Sequence, residues 1–495
     1  MVNIKDGILP YLEWELLDEP ITIAQVEDRT ELPTGKKKTI VNRDDEYNLL
    51  ATLSFKNNPR EATWRQSSKT VGGVSKGFDI HGSSDFANYT IESCLIGHTT
   101  IHGILGEGQE SLDTATLIFK GLKIRYKNEK EGTRFAQWYV NGPRDHVFSR
   151  GTERKLTRHF SRDHFLSKEK KIVSVERSLE SNDLSTDFLW VKTGELQFLI
   201  TKVPKGIGPE WSTNICIEYR KDWGGLPEVK DRARIEELCS FVFGRQLLPV
   251  GYTIYDDDEN IVECYANDPW GRTARTFCSQ PDYPPIRIDI SASGKAENII
   301  CQLLPKYLEL QGPLSLKEAL WNMWISREMP IGSNLPILAA ALESVLNGWF
   351  KYKTSQSKGV YLEKEVFVTL LKDEIENIRR KLEENFKGEG STEDSKAEKI
   401  INNILRAYQF GTMERYRIFF KEINLPIDSS EWEAIKARHK FVHGETQFDK
   451  ADWISVLQKV NTFETLLNRV LLRLLGYSGD YIDRSRIPWS NKVLN

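Results

Sequence analysis

The stretch Ser429-Ser-Glu-Trp-Glu-Ala-Ile-Lys-Ala-Arg-His-Lys-Phe-Val-His-Gly444 carries the start and stop signals of a single helix. Glu433 follows Ser430 by three residues, which is the spacing of a capping box at the start of a helix. Gly444 is a stop signal, because glycine is common directly after the last helical residue. The stretch therefore predicts a helix from about Ser430 to His443.

Apolar residues on both sides of this helix recur at intervals of three and four, the spacing of amphipathic helices. This period begins near Glu297 and continues toward the C-terminus. Its two clearest stripes are Val366, Leu370, Ile375, Ile378, Leu382 and then Ile454, Leu457, Val460, Phe463, Leu467, Val470, Leu471, Leu474. We expect residues 296–495 to form an all-α domain, a bundle of helices.

Residues 1–295 have a different sequence pattern, with short runs of Val, Ile, Thr and aromatic residues separated by Gly, Asn and Asp. Such runs predict β-strands. The clearest are Ala51–Phe55, Phe78–Ile80, Tyr89–Ile96, Ala115–Tyr126, Phe188–Val203, Asn214–Glu218 and Val250–Ile254. One helix is expected among them, Lys230–Gly244, because its apolar residues have helical spacing and a glycine ends it. The fold class is thus α+β multidomain, a β-rich, sandwich-like domain followed by the helical bundle.

Composition excludes several classes of protein. With 39% hydrophobic and 28% charged residues the chain is globular, and its net charge of -3 means that any RNA contact is local. The N-terminus lacks a signal peptide's basic and apolar regions, and no run of about 18 apolar residues occurs. The 6 cysteines never approach Cys-x-x-Cys spacing. We expect a cytoplasmic protein with no membrane partner, no metal and no other cofactor.

Arg438 and His443 lie five positions apart at the end of the predicted helix. Five residues rotate by about 500°, so the two side chains are about 140° apart around the axis and about 7.5 Å apart along it. One helix therefore aims poorly at a single phosphate. Two copies related by a twofold axis would bring both pairs to one cleft, which favours a homodimer or higher homo-oligomer.

The segment Arg438-His-Lys-Phe-Val-His443 resembles the R-x4–6-H motif of HEPN ribonuclease domains, including the polar residue after the arginine. The helical layout from about residue 313 to 477, with Leu338-Ala-Ala-Ala-Leu-Glu343 on an early helix, is similar to the Apea-like HEPN domains. Upstream, Phe78-Asp-Ile-His-Gly-Ser-Ser-Asp-Phe and Ser240-Phe-Val-Phe-Gly-Arg-Gln-Leu resemble the N-terminal domain of the ApeA-like family of anti-phage defence proteins. The resemblance implies an antiviral endoribonuclease of abortive-infection type, which leaves a 2′,3′-cyclic phosphate.

Metal-independent RNA cleavage needs a group that moves the 2′-hydroxyl proton and a cation that holds charge on the phosphate oxygens. His443 suits the first role because histidine titrates near neutral pH. Arg438 suits the second because a guanidinium matches two phosphate oxygens at once. These two residues are the predicted catalytic pair. RNA is the expected substrate, and a phage-derived trigger is a further expected partner.

Other residues are candidates for supporting roles, each with a plainer alternative. Glu343 lies on an apolar helix, where it either orients the catalytic pair or occupies a solvated face. His439 either helps to hold RNA or caps the surface. Lys440, next to it, is a candidate phosphate contact.

A basic strip between Arg150 and Lys171 contains 8 Lys and Arg against 3 acids. Its RNA-binding candidates are Arg154, Lys155 and Arg158. A solvated loop is the more common explanation of such a run. The spacings Arg154–His159 and Arg158–His164 also fit the R-x4–6-H pattern, but no capped helix surrounds them.

Gly73-Val-Ser-Lys-Gly77 matches the nucleophile motif of α/β hydrolases, which needs a helix after the serine. A strand is predicted there instead, so we exclude a serine hydrolase. Two functional hypotheses remain. In the first, a β-rich sensor or regulatory domain controls an RNA-cleaving HEPN dimer. In the second, the HEPN domain is non-catalytic and only dimerises, while the N-terminal domain binds a ligand.

Overall fold

A computed structural model of the 495-residue chain describes residues 14–23, 25–26, 37–56, 70–71, 74–75, 77–100, 112–127, 130–167, 170–269, 274–288, 295–353, 361–385, 394–442 and 453–494. Some stretches within these ranges, among them 154–167, 170–183 and 438–442, are described by their backbone alone. The chain forms two compact units, Met1–Pro305 and Lys306–Asn495. The boundary predicted at residue 295 falls at the start of a helix, ten residues before this division.

The first unit is built mainly from antiparallel strands. Their bounds are β1 Ile21–Ile23, β2 Gln25–Val26, β3 Lys37–Arg43, β4 Leu49–Lys56, β5 Thr70–Val71, β6 Val74–Ser75, β7 Phe78–Ser83, β8 Ala87–Thr100, β9 Leu112–Ile118, β10 Gly121–Tyr126, β11 Arg134–Val140, β12 Arg150–Ser167, β13 Lys170–Thr193, β14 Leu196–Lys202, β15 Ile215–Arg220, β16 Leu248–Tyr255 and β17 Ile261–Asn267. Among the described residues one sheet of 15 strands runs in the order β1-β3-β4-β9-β8-β10-β17-β16-β11-β15-β14-β13-β12, and β7, which pairs with β2, joins it at β8.

The sheet changes partners at β8. The residues of β8 up to Cys94 pair with β7 and β10, and those from Leu95 onward pair with β9. Ser93 itself has a left-handed backbone with φ 55°. Leu53 and Leu117 from one part of the sheet share a hydrophobic core with Ile124 and Cys264 from the other part. The sheet is therefore folded around a common core, and the predicted β-rich N-terminal part is confirmed.

Two predicted strands are each divided in the structure. The run Ala115–Tyr126 forms β9 and β10, because these two strands pair with successive parts of β8. The run Phe188–Val203 covers the end of β13 and all of β14, with a turn at Gly194, whose φ is 59°. A glycine stands at each break, Gly121 and Gly194, so the sequence carried a turn signal that the prediction did not use.

A buried ion pair ties the start of the described chain to the sheet. The Arg43 side chain at the end of β3 is 3% exposed and pairs with Glu15, which is 2% exposed. The same guanidinium donates to the backbone oxygens of Val250 at 2.7 Å and Asn267 at 3.1 Å. One arginine thus joins four separate segments of the first unit.

The remaining helices and strands are mostly in the second unit. Their bounds are α1 Val229–Phe243, α2 Ala274–Cys278, α3 Lys295–Leu310, α4 Leu316–Arg327, α5 Asn334–Tyr352, α6 Lys364–Leu370, α7 Lys372–Asn385, α8 Asp394–Ile404, α9 Thr412–Glu422, α10 Ser429–Val442, α11 Trp453–Leu474, β18 Asp480–Asp483 and β19 Ser490–Val493. The predicted helical C-terminal part is confirmed, and α1 agrees with the predicted helix Lys230–Gly244.

The expectation that the C-terminal part is all helix was wrong, because β18 and β19 pair as an antiparallel hairpin after the last helix. The hairpin packs on α11. The Arg484 backbone N–H donates to Thr465 Oγ1 at 3.2 Å, and the Arg469 guanidinium lies 5.6 Å from the Tyr481 ring centroid. Four-residue strands give too short an alternation to be recognised in the sequence, and the hairpin depends on these contacts with α11.

Gly244 ends α1 in a position that only glycine fits, which gives a test of the fold. Its φ is +67°, and an added Cβ would lie 2.0 Å from the backbone N of Pro284. Gly194→Ala is the matched control, since its φ is +59° with nothing within 4 Å. We expect Gly194→Ala to cost about 1–2 kcal/mol for the left-handed backbone. Gly244→Ala should cost roughly 1–3 kcal/mol more from the collision. Urea unfolding followed by tryptophan fluorescence measures both, and equal costs would contradict the described α1 terminus.

Candidate functional site

Helix α10, which carries the predicted catalytic arginine, begins with a capping box different from the one expected. Asp428 Oδ1 accepts the Glu431 backbone N–H at 2.9 Å, and Glu431 Oε2 accepts the Asp428 backbone N–H at 3.0 Å. The predicted box of Ser430 and Glu433 was therefore wrong by two residues. Ser430 Oγ instead donates to Asp428 at 2.6 Å. Asp428 satisfies the free N–H groups at the helix start, which is the function that the prediction gave to Ser430.

Glu431 also forms a buried ion pair with Arg469 of α11. The two residues are 5% and 9% exposed. Arg469 further donates to the Pro426 backbone oxygen at 2.8 Å, so it binds both the helix and the segment that leads into it. Burial raises the pKa of Glu431, although Arg469 and the Asp428 N–H partly offset this effect. The start of α10 is thus fixed to α11 by a charge pair that is shielded from water.

The rest of α10 packs against α5 and α11. Ala434 and Ile435 are fully buried, and the Trp432 ring meets Phe420 of α9 edge to face at 5.7 Å. Residues 431, 434 and 435 define the core-facing stripe of the helix, and position 438 continues it at helical spacing. The backbone of Arg438 therefore lies two turns after Glu431 along α10.

The structure describes the other predicted residues of this site only in part. For Arg438, His439 and Lys440 it gives the α10 backbone alone, and His443 lies outside the described residues. Glu343 lies on α5, which packs against α10, and its side chain is half-buried. Its two interpretations, an orienting carboxylate or a solvated one, both remain open.

The basic strip is not a loop, so the loop interpretation was wrong. Residues 150–167 form β12, paired along its length with β13. Arg154, Lys155 and Arg158 therefore lie on a strand, as do His159 and His164 with their R-x4–6-H spacings. The sequence pattern misses this because the pairing partners lie up to 38 residues away. Strand β7 also follows the Gly73–Gly77 segment, as predicted, and leaves no helix after Ser75.

A second buried ion pair in the helical unit was not predicted. Arg327 of α4 donates from Nε at 3.1 Å and from Nη2 at 2.5 Å to Glu464 of α11. Both side chains are about a tenth exposed, at 9% and 11%. A signal was present, since Glu464 lies four residues after Val460 and seven before Leu471, which places it along the longest apolar stripe of the chain. Charged residues there require buried partners.

The first unit contains a charged cleft of 830 Å³, also unforeseen, near the turn between β16 and β17. Arg134 lies in it and pairs with Glu218 at 2.8 Å and with Glu259. Lys130 pairs with Asp258 and approaches Asp256 at 3.5 Å. Because cations and carboxylates there are already paired with each other, we assign no ligand to the cleft.

The chain matches no protein-family model, no curated protein and no solved structure. Within the described ranges, no three His, Cys, Asp or Glu side chains are grouped as metal ligands. All six cysteines are described, and each is a reduced thiol. None of the helices in the described part has the length and apolar character needed to cross a membrane.

Arg469→Met tests whether the buried ion pair holds the helical unit together. The variant leaves the Glu431 carboxylate buried without its cation, which should cost about 3–5 kcal/mol near neutral pH. The pKa of Glu431 is already raised, and the loss of Arg469 raises it further. The folded state then favours the protonated acid, so the penalty is largest above that pKa and falls as pH drops toward about 5. The free energy of unfolding, measured near neutral pH and at about pH 5, tests this expectation.

The control is Arg417→Met, because Arg417 is 66% exposed and pairs with Glu414 on the surface. It should change the stability by about 0–1 kcal/mol at either pH. The double variant Glu431→Gln with Arg469→Met should recover part of the loss, since no buried charge remains. A loss that is the same at both pH values would mean that Glu431 ionisation is not its cause.

Proposed function

We propose that the protein is a metal-independent HEPN-type endoribonuclease that acts as an antiviral, anti-phage effector of abortive-infection type. The observation that carries the proposal is that Arg438 lies on α10, whose start is fixed by a capping box and a buried ion pair, and that His443 follows directly after Val442 in the sequence. Catalysis requires groups held in place before the substrate arrives, and an anchored helix meets this requirement.

The chemistry follows from the two side chains. The 2′-oxygen attacks the neighbouring phosphorus, the O2′–P bond forms and the P–O5′ bond breaks. His443 accepts the 2′-hydroxyl proton and returns a proton to the departing 5′-oxygen, so no net acid or base is consumed. Arg438 stabilises the charge that builds on the phosphate oxygens. The products are a 2′,3′-cyclic phosphate and a 5′-hydroxyl, and DNA is not cut because it has no 2′-hydroxyl.

The active form is a homodimer or higher homo-oligomer of the helical unit, and the β-rich unit is its sensor. Arg438 and His443 diverge by about 140° on one helix, so a twofold pair is needed for both groups to reach one phosphate. A phage-derived trigger would act through the β-rich unit. An uncontrolled ribonuclease would harm its own cell, so we infer that the resting protein is restrained.

Arg438→Ala and His443→Ala should each abolish RNA cleavage, a loss of at least about 100-fold for removal of a proton-moving or charge-holding group. The matched control is His159→Ala, which removes the histidine of another R-x4-H spacing, on β12. It should cut as the wild type does.

The assay follows end-labelled RNA in EDTA, where cleavage should persist because the mechanism uses no metal. DNA of the same sequence is tested alongside. Cleavage by either α10 variant would refute the assignment, and a wild type that never cuts, even with extract of infected cells, would favour the non-catalytic hypothesis.

Mixed oligomers test the composite site. Wild-type protein is mixed and re-equilibrated with His443→Ala protein at increasing ratios. If each site needs both subunits, activity should fall below the wild-type fraction, because mixed dimers are impaired. Sedimentation of the same samples reports the oligomeric state. Activity proportional to the wild-type fraction, in a protein that sediments as a monomer while cutting, would show that one chain suffices.

A further inference from the structure

The β12–β13 hairpin has an uninterrupted register along most of its length. Cα partners run from Gly151 and Thr186 to His164 and Val173 without a shift. β12 is the last strand of the sheet order, and β13 is the strand beside it among the described residues. Directly opposed residues of an antiparallel pair lie on the same face, and successive residues alternate between the two faces. The register therefore assigns every residue of the hairpin to a face.

Described side chains at the base of the hairpin identify its two faces. The Thr152 and Ser185 hydroxyls, which are opposite each other in the register, both donate to Asp187, which is 4% exposed. Glu153 and its register partner Leu184 belong to the other face, and Leu184 is 78% exposed. Because successive residues alternate between the faces, every second residue along each strand lies on the same face as Thr152 and Ser185.

The two faces carry opposite charge between residues 153–164 and 173–184. The face of Thr152 and Ser185, here called the basic face, has four arginines against one aspartate, a net charge of +3; the other face has one lysine against four carboxylates, a net charge of −3. The charged residues of the basic face are Arg154, Arg158, Arg162, Arg177 and Asp183. Those of the other face are Lys155, Glu153, Asp163, Glu176 and Glu180. Lys155, predicted together with Arg154 and Arg158, is thus separated from them.

We propose that the basic face binds the phosphate backbone of single-stranded RNA, which rests on the ribonuclease function proposed above and adds a substrate-holding surface remote in sequence from Arg438. Arginine matches a phosphate with two parallel hydrogen bonds, which a lysine does not. Arg158 and Arg162 are separated by about 14 Å along the strand. Phe160 is at the position between them on the same face, and stacking of bases on aromatic residues is common in single-strand binding.

The test uses the full chain with His443→Ala, so that RNA is bound without being cut. Binding of fluorescein-labelled poly(U) is followed by fluorescence anisotropy at several salt concentrations. Arg158→Glu on β12 and Arg177→Glu on β13 each change the charge of the basic face by two. Lys155→Glu makes the same change on the other face of the same strand and is the matched control. Circular dichroism and thermal unfolding of all three variants monitor the fold.

The two arginine variants should weaken binding by roughly tenfold or more at low salt and lower the slope of log K against log salt by about 1. Lys155→Glu should shift affinity much less. Equal weakening by all three variants would overturn the proposal, because only net charge would then matter. Displacement of RNA by poly-glutamate of equal charge, with the same dependence on the basic face, would overturn it in favour of an acidic protein partner.

The cleavage assay separates this inference from the proposed function. If wild-type protein cuts RNA while Arg158→Glu and Arg177→Glu bind poly(U) normally, the basic face is not the binding surface and the ribonuclease function stands. If wild-type protein never cuts, yet binding depends on the basic face, the ribonuclease function fails and the RNA-binding surface stands. An Arg177→Lys variant adds a check on folding, since it keeps the charge and should lose less affinity than Arg177→Glu.

Discussion

The second unit depends on a double role of the Glu431 carboxylate. One oxygen closes the start of α10 by accepting the Asp428 N–H, and the other pairs with Arg469 inside the protein. An unpaired charge at this depth costs several kcal/mol, so α10 has little freedom to slide or turn against α11. Position 438 lies about 10.5 Å farther along the same helix, and its place follows from this anchor. The geometry of the proposed active site is therefore set two turns away from it.

The sequence predicted that α10 exists but not which residues cap its start. Asp428–Glu431 and Ser430–Glu433 both have capping-box spacing, so local pattern alone cannot choose between them. The choice comes from Arg469, which is 38 residues farther along the chain and needs Glu431 as its partner. The change of apolar period near residue 297 identified the helical part correctly because that signal is local. The packing of α10 against α5 and α11 joins distant parts of the chain, and the sequence pattern did not predict it.

The β-rich unit shows the same division between local features, which were predicted, and distant pairings, which were not. Individual strands were found from their alternating residues, but the order of 15 strands, the partner change at β8 and the split of β9 from β10 depend on pairings between distant segments. The basic strip is the sharpest case. Its composition gave a count of charges, whereas the register with β13 gave their distribution over two faces. Arg154 and Lys155 are neighbours in sequence and equal in charge, and only the pairing separates them.

The sheet order also has a consequence for how the chain is made. β16 and β17 lie between β10 and β11, although roughly a hundred residues of sequence separate β11 from β16. At about 5–20 residues per second, a ribosome leaves the inner edges of β10 and β11 without partners for roughly 5–20 seconds. Unpaired strand edges are prone to aggregate, so the nascent chain needs protection during this interval. The first unit is then completed while the helical unit is still being synthesised, so the proposed sensor is present before the proposed nuclease can fold.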